Sequence, residues 1–186
     1  MKKYILIAGV NGAGKSTLYQ SLDYLKSMDR VNTDEIVKEF GVWKNPKDVI
    51  KAGRIAVKKI NANFSKGKTF NQETTLFGNN ILKNIDRAKQ IGYNVEMHYV
   101  GVETVDIAKS RISYRVAHGG HGISDKDVER RYNNSFYNLS KVIEKCNLLV
   151  LYDNSIAFKQ FAIYKNGKIV YLLEDYPKWF KRFLKL

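Results

Sequence analysis

The residues with the most explicit chemistry are Lys15 and Ser16. They close the stretch Gly9-Val10-Asn11-Gly12-Ala13-Gly14-Lys15-Ser16, which fits the phosphate-binding pattern G-x-x-x-x-G-K-[ST]. Glycines let such a loop curl so that several backbone N–H groups converge on one anion, and the helix that follows adds its partial positive end. In that frame Lys15 reaches the β- and γ-phosphates of a nucleotide, and the Ser16 hydroxyl is a ligand of Mg²⁺. Gly9, Asn11, Gly12, Ala13, Gly14 and Thr17 complete the expected nucleotide-contacting set.

Two carboxylates stand where a second substrate would sit. Asp34 follows the short stretch Asp29-Arg30-Val31-Asn32, and Glu73 follows Lys68-Thr69-Phe70-Asn71-Gln72. A carboxylate at Asp34 can orient an acceptor hydroxyl and take its proton during phosphoryl transfer. It can equally serve as an ordinary cap for the next helix. Glu73 can accept from a substrate hydroxyl or hold a metal-bound water, with Thr75 donating beside it, whereas the plainer role is a helix start at Thr74 or Thr75. Arg111, Arg115, Arg130 and Arg131 bracket Gly119-Gly120-His121-Gly122. Guanidinium groups on two helices joined by a flexible loop form a lid that can close on a transferring phosphate. A solvated basic face is the alternative for some of the four.

These residues need a frame, and the chain supplies alternating strand and helix signals. Residues 4–8 read as a buried strand, followed by a helix from Thr17. Residues 29–32 read as a second strand, with Thr33-Asp34-Glu35 capping a helix that carries Ile36, Val37 and Phe40. Asn45-Pro46 opens a longer helix with Val49, Ile50, Ile55, Ile60 and Phe64 on its apolar face. Strands follow at 68–72, 93–100 and 148–152, with helices at 81–92, 105–118 and 124–144, the last opened by a Ser124-x-x-Asp127 capping signal. The pattern predicts an α/β fold with a mostly parallel sheet flanked by helices. Asn166-Gly167 between two apolar runs predicts a C-terminal β-hairpin. Tyr176-Pro177 then opens a short aromatic helix carrying Trp179, Phe180, Phe183 and Leu184.

At 186 residues the chain suits one domain, and its 44% hydrophobic and 12% aromatic content excludes disorder. No apolar run approaches the roughly 20 residues that span a bilayer, so no membrane partner is expected. A single cysteine, Cys146, fits a reducing compartment, and a cytoplasmic protein is the expectation. The net charge of +14 raises nucleic acid as a partner, but the lysines are scattered and form no block. Neither an Asn-Lys-x-Asp guanine motif nor a clear Walker B strand is present, which weighs against switch GTPases and motor ATPases.

With those residues in place, the chain resembles the zeta-toxin family of P-loop kinases, in particular its short, single-domain members. The resemblance rests on Gly9-Val10-Asn11-Gly12-Ala13-Gly14-Lys15-Ser16-Thr17, Asn32-Thr33-Asp34-Glu35-Ile36, Glu73-Thr74-Thr75-Leu76, Arg115-Val116 with Gly119-Gly120-His121, Arg130-Arg131-Tyr132 and Tyr152-Asp153-Asn154-Ser155. It covers residues 1–155, with a lid at about 115–131, and leaves the hairpin and helix of 156–186 unmatched. It implies ATP and Mg²⁺ as cofactors and phosphorylation of a small-molecule hydroxyl, in the characterised toxins that of a UDP-N-acetylated amino sugar. It further implies Asp34 as base, Lys15 on the phosphates, Glu73 and Thr75 near the substrate, and Arg115 and Arg131, with Arg130, on the nucleotide. An antitoxin protein is an implied partner. Where the family often has a proline after Gly-Gly-His, this chain has Gly122-Ile123-Ser124. A nucleic-acid 5′-kinase or nucleic-acid-dependent NTPase, and a nucleotide-binding regulatory protein, remain as alternatives.

Overall fold

The computed structural model describes residues 1–184, with side chains given through residue 181. The apolar run near the N-terminus forms strand β1 (Lys3–Ala8), and its last five residues are buried on both faces of the sheet. That is the requirement of a central parallel strand covered by helices on either side. β3 (Phe70–Thr74) and β4 (Asn94–Gly101) pair parallel with β1 on its two edges. β2 (Asp29–Val31) lies parallel beyond β3, and β5 (Leu148–Asp153) parallel beyond β4. Two antiparallel strands, β6 (Lys159–Lys165) and β7 (Lys168–Leu172), extend the sheet, giving the order β2-β3-β1-β4-β5-β6-β7. The hairpin between them turns at Asn166 and Gly167, both with positive φ (48° and 77°), as the Asn-Gly pair predicts.

This order has a functional consequence. From β1 the chain moves first to one side of the sheet and later to the other, so a crevice opens at the carboxyl end of β1, where ligands of open α/β sheets sit. Helices α1 (Lys15–Ser21), α2 (Thr33–Phe40) and α3 (Pro46–Ser65) start or end around that crevice. They are followed by α4 (Asn79–Gln90), α5 (Val105–Ala117), α6 (Asp125–Val142) and α7 (Lys178–Leu184). α6 is capped as expected, the Ser124 hydroxyl accepting from the Asp127 N–H at 3.2 Å. The tail packs on the sheet: Trp179 is fully buried and donates through Nε1 to Asp153 at 2.8 Å. Phe180 meets Phe161 edge-on at 5.2 Å, whereas the side chains of Phe183 and Leu184 lie outside those described.

Several expectations shift in detail. The strand read at 68–72 forms at 70–74, so Glu73 is a strand residue paired with Ile7 rather than one that follows the strand. α4 begins only at Asn79, after Gly78, and neither Thr74 nor Thr75 caps it. The cap of α2 is Asn32, whose side chain accepts from the Asp34 N–H at 2.9 Å. Ile50 on α3 is 57% exposed, and the buried face of that helix is built from Ala52, Ala56, Ile60, Asn63 and Phe64. Small side chains let the helix approach the sheet closely, which a count of large apolar residues cannot reveal. Among the described residues no helix is long and apolar enough to cross a membrane.

Candidate active site

The loop from Gly9 to Ser16 joins β1 to α1, and Gly14 sits at the helix N-cap in a left-handed conformation. Gly12 has φ +79°, and a Cβ there would stand 2.6 Å from the Ala108 carbonyl oxygen, so backbone strain and contact with α5 both demand glycine. Lys15 is buried and donates to the Val10 carbonyl at 3.0 Å, which curls its ammonium back over the loop. Burial lowers its pKa from the ordinary lysine value; the nearby carboxylates of Glu73 and Asp34 oppose that, while Arg115 and Arg131 add to it. Ser16 and Thr17 are exposed along the wall of a cavity of about 370 Å³ that Gly12, Gly14, Arg111, Arg115 and Asn154 also line. Asn154 braces the loop by donating to the Ala13 carbonyl at 2.8 Å.

A second cavity of about 270 Å³ adjoins the first. Thr75, Gln72, Trp43, Val49 and Arg131 line it, and the two cavities share Asn11, Lys15, Asp34 and Glu73. The chain thus places the Gly9–Ser16 loop and a polar, carboxylate-bearing chamber on either side of one ammonium group. Asp34 sits in the first turn of α2, with a side chain 39% exposed and Oδ2 3.2 Å from His121 Nε2. Burial alone would raise its pKa; the His121 hydrogen bond and charge, with Lys15 and Arg115, outweigh this and hold it below the usual carboxylate range. An ionised carboxylate facing solvent-accessible space is what a general base requires.

Glu73 is held rather than free. Its Oε2 accepts from Arg30 at 2.7 Å and from Asn32 at 3.1 Å, with both ion-pair partners about nine-tenths buried. The Arg30 guanidinium lies 3.5 Å over the Tyr19 ring and also reaches Glu35 and Asn71. This arrangement fixes one carboxylate oxygen and keeps the residue on the wall of both cavities.

The four arginines divide. Arg111 and Arg115 line the loop-side cavity, and Arg131 lines the other, where its Nη1 donates to Asn11 at 3.3 Å. Among the described residues, Arg111 Nη1 and Arg131 Nε are buried without a protein partner. Buried guanidinium donors left over beside a phosphate loop suit an anionic ligand. Arg130 is 58% exposed, bound to Asp127 at 2.7 Å and placed over Phe77, and it lines neither cavity. In this conformation it stands apart from Arg115 and Arg131, with which the resemblance grouped it.

The sequence reading passed over Trp43, and it quoted Arg30, His121 and Asn154 without assigning them work. Arg30 had a signal, a charge inside a short strand of an otherwise buried sheet; Trp43 in a surface-looking loop had none. A roomier cavity, about 570 Å³, lies elsewhere, between Ile107, residues 155–157 and Tyr176, and carries no residue of the phosphate loop. Volume alone therefore does not mark the site.

Fold and loop together define a P-loop protein of the kinase-like α/β class, and comparison with solved structures agrees. The AvrRxo1-ORF1:AvrRxo1-ORF2 crystal structure with sulphate ions contains a chain that superposes with a TM-score of 0.77 at 12% identity, over 99% of this chain and 64% of that one. The present chain thus spans just under two thirds of that relative. A structure of the PezAT chromosomal toxin-antitoxin system of Streptococcus pneumoniae matches with a TM-score of 0.63 at 15% identity, over 100% of this chain and 77% of that one. No family model matches the sequence. An uncharacterised protein of Haemophilus influenzae is 35% identical over 131 residues, 70% of this chain and 92% of its own length. The chain belongs to the family of that Haemophilus protein.

Proposed function

We propose that the protein is an ATP-dependent kinase that transfers the γ-phosphate to a hydroxyl of a small molecule. The observation that carries this reading is the junction of the two cavities at Lys15, Asp34 and Glu73. A nucleotide whose phosphates lie on the loop would present its γ-phosphorus to the chamber holding Asp34. Asp34 would orient the acceptor hydroxyl and take its proton as the new P–O bond forms and the bond to ADP breaks. Lys15, Arg115 and Arg131 would balance charge on the transferring group, with Glu73 and Thr75 positioning the acceptor. Arg130 would join them only by leaving Asp127. The Ser16 hydroxyl, exposed beside the loop, fits the role of a Mg²⁺ ligand, and the bound ion would neutralise charge on the β- and γ-oxygens. The AvrRxo1 complex has also been solved with ATP, which supports ATP as the donor.

Within that class we place the protein beside the zeta toxins, with a UDP-N-acetyl amino sugar as the first acceptor to test, an antitoxin as partner and the cytoplasm as its compartment. The likeness to the PezAT system supports this reading. The test is incubation with γ-labelled ATP and a panel of UDP-sugars, nucleosides and oligonucleotides. The reading requires label on a small-molecule hydroxyl. Label on oligonucleotide 5′-ends alone would give the nucleic-acid kinase instead, in keeping with the charge of +14.

A further inference from the structure

Three elements meet at His121. Its ring nitrogen Nε2 lies 3.2 Å from Asp34 Oδ2 on α2. Its ring stacks on Trp43, from the segment between α2 and α3, with centroids 4.4 Å apart and planes inclined by 15°. Its carbonyl oxygen accepts from Arg115 Nε at 3.1 Å and Nη2 at 2.8 Å, tying it to α5. The loop is wound tightly enough that a Cβ on the preceding Gly120 would come within 2.4 Å of the Arg115 side chain. Such a histidine is not an incidental loop residue. A flat ring held on one face and at its backbone has few rotamers left, so Nε2 points in one direction, at the carboxylate, with Arg115 Nη2 3.5 Å from the same nitrogen.

We infer that His121 is a positioning residue for the transfer reaction, aiming the Asp34 carboxylate and making that aim depend on the lid being down. With Oδ2 engaged by the ring, the other carboxylate oxygen is left for the acceptor hydroxyl. Trp43 is the platform that fixes the ring, and Arg115 couples the ring to the same helix that reaches the phosphates. Opening the lid withdraws the ring and frees the carboxylate to rotate, so the base is set only when the nucleotide side is closed. This protects ATP from water in an open site. The inference rests on the kinase reading and adds a residue and a coupling to it.

The experiment is a double-mutant cycle in the full chain with a magnetic-resonance readout that needs no turnover. His121→Ala should lower kcat by about 10–100-fold, the scale of a misplaced catalytic group, and leave the KM for ATP within about threefold. His121→Gln, whose amide N–H can reach the same oxygen, should recover most of the loss. In an Asp34→Asn background, His121→Ala should cost almost nothing further, because its effect runs through the carboxylate. Full additivity, or wild-type turnover in His121→Ala, overturns the assignment. Separately, the His121 ring resonances, read at one fixed pH, should shift in the Asp34→Asn variant; unmoved resonances refute the contact whatever the activity. Shifted resonances with no phosphate transfer to any acceptor refute the kinase reading, and the positioning role falls with it.

Discussion

The substitution Asp34→Asn separates catalysis from helix capping. The sequence leaves Asp34 two roles, base or cap, and the structure assigns the cap to Asn32, which accepts from the Asp34 backbone N–H rather than from its side chain. The variant therefore keeps that hydrogen bond. The stability cost reduces to a lost negative charge in the first turn of α2 and a weakened contact with His121. The first is worth about 0.3–1 kcal/mol, and the second is small at a position 39% exposed. For a chain of this size that is a fall in Tm of a few degrees, at about 2–4 °C per kcal/mol. The catalytic cost is of another order. A neutral amide can neither take the acceptor proton nor hold its hydroxyl as strongly, and loss of a general base costs about 10²–10⁴-fold, or about 3–5 kcal/mol of transition-state stabilisation. The assay is steady-state turnover with labelled ATP beside ATP binding without acceptor and a thermal melt. Turnover within about threefold of wild type, or a collapse of Tm with specific activity retained, would refute the role of Asp34.

Lys15→Ala is expected to lower turnover by at least about 10²–10³-fold. It should leave Tm nearly unchanged, since it removes a buried cation whose desolvation is already unfavourable; a melt and a kinetic assay on one preparation check both. Arg115→Ala and Arg131→Ala should reduce kcat more than Arg130→Ala does, while changing ATP affinity little in the absence of acceptor; an equal loss in all three contradicts the division seen among them. Glu96 supplies a test of folding: burial would raise its pKa, but hydrogen bonds from His98, Tyr24 and Lys3 outweigh that and bring it to about 2 from 4.5. Because the folded-state value is the lower one, the carboxylate stabilises the protein above pH about 4.5, and that contribution, on the order of 3 kcal/mol, is lost as the pH falls toward 2. In denaturant titrations the stability gap between wild type and Glu96→Gln should narrow over that interval, and a gap independent of pH would contradict it.

Much of this molecule was legible in its sequence because local and global signals agree. The phosphate loop requires glycine by backbone geometry and contact with α5, so its pattern survives as a motif. Strands β1 and β5 are buried on both faces and read as continuous apolar runs, and the Asn166-Gly167 turn has a stereochemical cause. Strand ends were harder to read. Glu73 was read as lying just past its strand because a buried glutamate inside a strand makes sense only beside Arg30, which comes from another strand. The cap of α2 was placed on Thr33-Asp34-Glu35 because Asn32, Thr33 and Asp34 are all good caps, and only the observed hydrogen bond chooses Asn32 among them. Arg130 and Arg131 are adjacent in sequence and similar in chemistry, but helical geometry turns Arg131 to Asn11 and Arg130 to Asp127. The stack of His121 on Trp43 joins residues far apart in the chain, so no local pattern announces it.

The most direct measurement is a phosphorus balance on the purified protein with Mg·ATP and a responsive acceptor. ADP formed and phosphomonoester on the acceptor are followed together by phosphorus NMR, with Lys15→Ala and Asp34→Asn alongside. A kinase of the kind described gives ADP and phosphorylated acceptor in equal amounts, little free phosphate, and neither product in the two variants. ADP appearing only with free phosphate, or at rates that Asp34→Asn leaves unchanged, would contradict transfer to a hydroxyl at this site.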